Sequence, residues 1–344
     1  MTKGGLQVRE TSLQYSGAKT PVNSEIKGNR DMARKKIALV GAGQIGGTMA
    51  LVLAQKQLGD VVLIDIAEGM PQGKALDIQE GRSVIPTATN LSGSNDYSAL
   101  ADSDVVIVTA GLPRKPGMSR DDLLDVNYGI IENVGNAIRD NAPNALVIVV
   151  TNPLDAMVYA MQKVTGFAAN KVVGMAGVLD SSRLACFIAD ELNVSAEDVR
   201  ALVLGGHGDT MVSVFGAASV SGIPLSEMMT KEKFDELAAR TAKAGGEIVA
   251  LLKTGSAFYS PGLSAVHMAE AYLLDKKSVL TAAAQLNGEY GVEGGLYCGV
   301  PIVMGAGGVE KVIEVSLNEE ERKAFDVSVD AVKDLVSWVN NKRG

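Results

Sequence analysis

Lys36-Ile37-Ala38-Leu39-Val40-Gly41-Ala42-Gly43-Gln44-Ile45-Gly46 is the stretch that decides the fold. A short apolar run ends at a glycine turn, and the turn opens a helical pattern over residues 44–57. The three glycines have different tasks: Gly41 permits a tight turn, Gly43 lets a pyrophosphate approach the backbone, and Gly46 lets helix and strand pack closely. The spacing alone is a weak signal, but a strand before it and a helix after it supply the required context. Free N–H groups at the start of such a helix attract phosphate. Gly41, Ala42, Gly43, Gln44, Ile45 and Gly46 therefore form a candidate dinucleotide site. The next apolar run, 61–64, ends at Asp65, about twenty residues on, where a carboxylate can accept from ribose hydroxyls. Asp65 would repel a 2′-phosphate and no arginine follows it directly, so NAD is favoured over NADP.

Working outward, residues 104–109 and 145–150 are two more buried strands, with a helical pattern over 121–140 between them. Apolar runs separated by amphipathic helices predict an α/β fold with a Rossmann-type doubly wound parallel sheet. The second half reads differently. Residues 212–220 and 300–304 look like strands without βαβ spacing, and 231–253 and 318–340 look like long helices. The expected division is a disordered or accessory tail over 1–31, an NAD-binding domain over 32–175, and a mixed α+β substrate-binding and catalytic domain over 176–344.

Composition narrows the function. A formal net charge of −8 over 344 residues argues against general affinity for nucleic acid or anionic membrane, and no apolar run is long enough to span a bilayer. An anionic substrate must then be drawn by a local cluster of arginines. Cys186 and Cys298 have no metal spacing and lie in apolar stretches. They read as small buried thiols in a reducing compartment, with the cytoplasm expected and no metal site. Tyr159 and Lys163 match a Tyr-x-x-x-Lys spacing seen in short-chain dehydrogenases, but the glycine spacing is wrong for that family. They are more simply i and i+4 neighbours on a helix face.

His207, in Gly206-His207-Gly208-Asp209, is one of two histidines in the chain and the obvious candidate for proton transfer near neutral pH. Leu179-Asp180-Ser181-Ser182-Arg183 offers a carboxylate to orient an imidazole and a guanidinium to hold an anion. Residues 110–120 follow a buried strand and carry Arg114 and Arg120 among two prolines and two glycines, as a loop closing over an anion would. Each feature has an ordinary alternative: an exposed ring in a turn, a helix N-cap at Asp180, surface pairing for the arginines. In this order together, they point to hydride transfer to or from a small carboxylic acid.

From about Arg34 to the C-terminal helix, these motifs, with Val150-Thr151-Asn152-Pro153, resemble the lactate/malate dehydrogenase family. The likeness is to its NAD-dependent, bacterial, lactate-dehydrogenase-like malate branch; the tail lies outside it. The resemblance implies that His207 exchanges the substrate's hydroxyl proton and that Asp180 fixes its tautomer, the two being the catalytic pair. It implies that Arg183 grips the C1 carboxylate, that Arg120 polarises the reacting carbonyl, and that Asn152 bonds the same part of the substrate. Asn127 and the segment Val150, Thr151 and Asn152 would contact NAD.

The resemblance implies that specificity rests on Arg114, where lactate dehydrogenases usually carry glutamine. Oxaloacetate presents a second carboxylate at that place and pyruvate a methyl group, and burying an unpaired arginine is costly. The expected reaction is (S)-malate plus NAD⁺ to oxaloacetate plus NADH. The alternatives are a lactate or other 2-hydroxy-acid dehydrogenase, or a non-catalytic NAD-binding protein. The resemblance also implies a homo-oligomer, with a tetramer expected and a dimer as the alternative.

Overall fold

The computed structural model describes residues 34–113 and 119–343; the 1–31 tail and Arg114 lie outside them. The first half alternates strand and helix: β1 (Lys36–Val40), α1 (Gln44–Lys56), β2 (Asp60–Ile64), α2 (Met70–Glu80), β3 (Leu91–Ser94), β4 (Val105–Val108), α3 (Arg120–Asn141), β5 (Leu146–Val149), α4 (Leu154–Thr165) and β6 (Val172–Gly174). These six strands pair in parallel in the order β3-β2-β1-β4-β5-β6. That is the doubly wound order, with its reversal between β1 and β4, where such folds bind their ligands.

The sheet is buried on both faces, which is why its strands read as continuous apolar runs. Ile37, Leu39, Leu63, Ile107 and Ile148 pack into one core with Met49, Ala50 and Leu53 of α1. The alternate residues Ala38, Val40, Val62, Val106, Val108, Val147 and Val149 pack into the other, against Leu124, Ile131 and Val134 of α3 and Met157 of α4.

The second half contains α5 (Gly177–Leu192), five two-residue strands, namely β7 (Val199–Arg200), β8 (Val203–Leu204), β9 (Val212–Ser213), β10 (Ser219–Val220) and β11 (Ile223–Pro224), then α6 (Lys231–Leu252) and α7 (Tyr259–Leu273). β12 (Ser278–Leu286), β13 (Leu296–Gly305), β14 (Gly308–Val312) and α8 (Glu319–Arg343) complete it. Three sequence expectations change here. Residues 212–220 are not one strand: β9 pairs with β8, whereas β10 pairs with β7 and β11. Between them a 3₁₀ turn, Phe215–Ala217, seats Phe215 against Phe234 with ring centroids 4.9 Å apart. Residues 300–304 belong to the longer β13, which with β12 extends the main sheet antiparallel through Ala283 and Gly174, so one nine-stranded sheet serves both halves. Finally, Cys298 is buried as expected but Cys186 is exposed. Asp180, Leu184 and Ile188 recur every four residues on the buried face of α5, and position 186 falls on the opposite side.

The glycine turn behaves as its spacing requires. Gly41 adopts φ +109°, and a Cβ on Gly46 would lie 2.0 Å from the Gly41 carbonyl oxygen. Gly46→Ala is therefore expected to destabilise the protein by about 1–3 kcal/mol, because α1 must move off the turn. A thermal melt checks this, and an unchanged Tm would contradict the close approach.

Candidate active site

At the C-terminal ends of β1 and β4, the turn leaves the start of α1 open. Gly43 is its N-cap, no side chain among the described residues caps it, and the first turn holds no acidic residue. A Cβ placed on Gly43 would meet nothing within 4 Å among the described residues. Uncapped N–H groups facing clear space fit a pyrophosphate. Asp65 sits beyond β2, where its Oδ2 accepts from the Ala42 N–H at 2.7 Å and its Oδ1 from the Ala67 N–H at 2.9 Å. Each oxygen keeps lone-pair capacity for a ribose hydroxyl. Sequence reasoning missed Lys74 on α2, whose Nζ donates to the Gly43 carbonyl at 2.7 Å. Burial pushes that ammonium below the usual lysine range, against the opposing pull of Asp65. No linear signal could have found it, because thirty-one positions separate the partners.

On the substrate side, the resemblance's pair is assembled. His207 Nδ1 lies 2.8 Å from Asp180 Oδ2. Asp180, on the first turn of α5, is 2 % exposed, so this contact is shielded from water. Arg183, one turn on, places Nη1 3.4 Å from Asp180 Oδ1, while its buried Nε has no partner among the described residues. Burial pulls the imidazole down. The charge and hydrogen bond of Asp180 and the charge of Asp155 outweigh burial and the opposing Arg183, and hold His207 above the ordinary histidine range.

Three successive amides fix the strand of chain that carries His207. Gly205 exchanges hydrogen bonds with Gly299 of β13, the Gly206 N–H donates to Ser328 Oγ of α8 at 2.8 Å, and the His207 N–H donates to Asp155 Oδ2 of α4 at 2.9 Å. Asp155 was also missed, although it directly follows Asn152-Pro153-Leu154. The available signal was an acid set among the buried residues Leu154, Ala156, Met157 and Val158, since buried carboxylates are rare unless partnered.

The remaining sequence candidates separate. Asn127 is fully buried: its Oδ1 accepts from the Leu112 N–H at 2.8 Å, and its Nδ2 donates to the Leu112 and Asn152 carbonyls at 3.1 and 2.6 Å. Its side chain thus ties the loop after β4 to Asn152. Thr151 is buried and donates to the Ala110 carbonyl at 2.7 Å, and Val150 is buried beside it. Asn152 is exposed, free to meet a ligand. Arg120 opens α3 behind the Ser119 capping box. Tyr159 and Lys163 are helix neighbours as expected, the ammonium 5.1 Å from the ring centroid, and Tyr159 OH contacts Asn340 Oδ1.

Two family models match the chain in series: the lactate/malate dehydrogenase NAD-binding domain over residues 35–174 and the lactate/malate dehydrogenase α/β C-terminal domain over 177–342. The chain belongs to the lactate/malate dehydrogenase family. It is accordingly an NAD-dependent oxidoreductase, and the open turn at Gly43 and Asp65 fit NAD. Over 306 residues, 88 % of this chain and 98 % of the relative, it is 60 % identical to malate dehydrogenase 1 of Anaeromyxobacter dehalogenans (strain 2CP-C). The solved malate dehydrogenase of Cryptosporidium parvum superposes with a TM-score of 0.87 at 49 % identity, covering 90 % of this chain and 99 % of the other. The lactate dehydrogenase of the same organism, complexed with lactic acid and NAD, gives the same TM-score at 46 % identity, covering 90 % of this chain and 99 % of the other. The overall backbone of this chain is thus equally similar to a solved malate dehydrogenase and to a solved lactate dehydrogenase.

Asn127→Ala should free the Leu112 and Asn152 backbone groups and lower stability by about 1–3 kcal/mol, because buried polar atoms lose their partners. Denaturant unfolding measures this; a midpoint within error of the parent would contradict the clip.

Proposed function

We propose that the chain oxidises (S)-malate to oxaloacetate reversibly, with NAD⁺ taking the hydride, and that the His207–Asp180 contact beside an Arg183 Nε without a partner among the described residues supports this reading most strongly. Residues 32–175 hold the cofactor and 176–344 supply most of the substrate chemistry. NAD, when bound, supplies the hydride acceptor. Gly41, Ala42, Gly43, Gln44, Ile45 and Gly46 would hold its phosphates on the α1 amides, Asp65 would take a ribose, and Asn127, Val150, Thr151 and Asn152 would contact it elsewhere. Arg183 takes the C1 carboxylate along its Nε edge. With Nδ1 held by Asp180, Nε2 of His207 receives the hydroxyl proton as the C–H bond breaks, and the reverse reaction returns it. Arg120 polarises the carbonyl, and Asn152 bonds the same region.

Arg114 answers the second carboxylate. The malate relative at 60 % identity supports this choice over lactate. The protein is further proposed to be cytoplasmic and a homo-oligomer, with a tetramer favoured over a dimer. Leu51 of α1, Leu263 of α7 and Leu251 of α6 are 42 %, 51 % and 75 % exposed, and they offer apolar surface for subunit contact.

His207→Asn should bind NADH with parental affinity yet lose nearly all turnover; unimpaired turnover would assign the proton to another group. In the parent, oxaloacetate reduction needs the imidazolium and malate oxidation the neutral ring. Because the ring's pKa is raised, reduction should fall, and oxidation rise, across a window above pH 6.5. A kcat/KM profile with both limbs below that value would contradict the assignment. Arg114→Gln should lower kcat/KM for oxaloacetate by at least ~10²-fold, about 2.7 kcal/mol. Activity within twofold of the parent would remove Arg114 from the substrate role.

A further inference from the structure

Behind His207 lies a second carboxylate that the acid/base pair does not require. Asp155 stands at the start of α4, 3 % exposed, with Oδ2 on the His207 N–H at 2.9 Å and a buried Oδ1 that has no partner among the described residues. The surroundings are tight: a Cβ on Gly206 would lie 3.3 Å from Asp155 Oδ2 and 2.8 Å from Val332 Cγ2 of α8. A plain strap for one amide needs only a neutral acceptor, and Ser328 Oγ already serves the neighbouring Gly206 N–H that way at 2.8 Å. A carboxylate in this place carries the additional cost of burying a charge.

We propose that Asp155 is a positioning residue for the proton-transfer step, a buried carboxylate that fixes the His207 backbone and shares with Asp180 the task of countering imidazolium charge. The proposal rests on His207 being the acid/base. The charged and titratable groups around the ring are Asp180 and Arg183 from α5 and Asp155 from α4, and Cys298 of β13 also feels Asp155. With the imidazolium present, two cations face two carboxylates; without Asp155 the cluster would be one negative charge short. Burial pushes the Asp155 carboxyl up to about 6, against the opposing pull of His207, so the anion is present at neutral pH and fades in mild acid.

The test uses the full-length protein and two variants. Asp155→Asn keeps an oxygen acceptor for the His207 amide and removes only the charge; Asp155→Ala removes both. The chain has two histidines, His207 and His267, and burial holds His267 below the ordinary range while His207 sits above it. Imidazole ¹⁵N resonances therefore report each titration without any assay of turnover. In Asp155→Asn, the His207 midpoint should fall by about half a pH unit or more, His267 should stay in place, and NADH should still bind. The limbs of the kcat/KM profiles for reduction and oxidation should move to lower pH by the same amount. Asp155→Ala should show that displacement together with a loss of kcat of about tenfold, as expected when the catalytic base loses its anchor. A His207 midpoint unmoved in Asp155→Asn would overturn the proposal and leave Asp155 as a strap. If Asp155→Asn does not fold, the ¹⁵N titration of the parent decides, and a His207 midpoint at or below the ordinary value overturns it. Failure of the His207 assignment would show separately, as retained turnover in the His207→Asn variant.

Discussion

The contact between His207 Nδ1 and Asp180 Oδ2, 2.8 Å long and shielded from water, is the interaction on which the rest of the site depends. A neutral imidazole has one donor and one acceptor nitrogen, and a carboxylate on one of them decides which is left for the substrate. The same carboxylate makes a proton on the ring affordable in a buried place. Arg183 is held against Asp180 from the next turn of α5, so one aspartate contacts both the proposed proton carrier and the proposed anchor for the substrate's carboxylate.

The fold brings this cluster to the cofactor's end of the sheet. β6 continues into β12 and β13, and β13 grips the His207 segment through Gly299 while α8 and α4 hold the two following amides. The glycine turn after β1 lies near the sheet's centre, where the strand order reverses. Hydride transfer needs donor and acceptor carbons within contact distance. A continuous nine-stranded sheet under both halves is a stiff way to keep them in register. Asn127 adds a local tie, joining the start of the substrate loop to Asn152 at the end of the next strand segment.

Much of this was legible in the chain. The glycine turn, its helix and Asp65 could be read because each task needs a particular residue at a particular offset along one strand–turn–helix unit. His207, Asp180 and Arg183 could be named from the family resemblance, with chemistry that suits each. Lys74 and the Asn127 clip escaped because their partners come from distant positions, and spacing along the chain carries no information about such contacts; Asp155 left one trace, an acid inside an apolar run, but its partner is equally distant. The expectation of one strand over 212–220 failed for a related reason: alternating apolar residues do not say that two ladders with different partners share them. Cys186 was placed inside because an apolar neighbourhood says nothing about which side of a helix a residue occupies.

Two family members with the same overall backbone similarity to this chain act, by their names, on malate and on lactate, and the proposed reading places the choice of substrate in the charge of Arg114. The most direct test is the ratio of kcat/KM for oxaloacetate and for pyruvate, measured in parallel by NADH absorbance on the purified protein. The account predicts a preference for oxaloacetate of at least ~10²-fold, the discrimination expected when a charged group goes unpaired with the wrong substrate. Equal rates on the two keto acids, or no turnover of either, would contradict it.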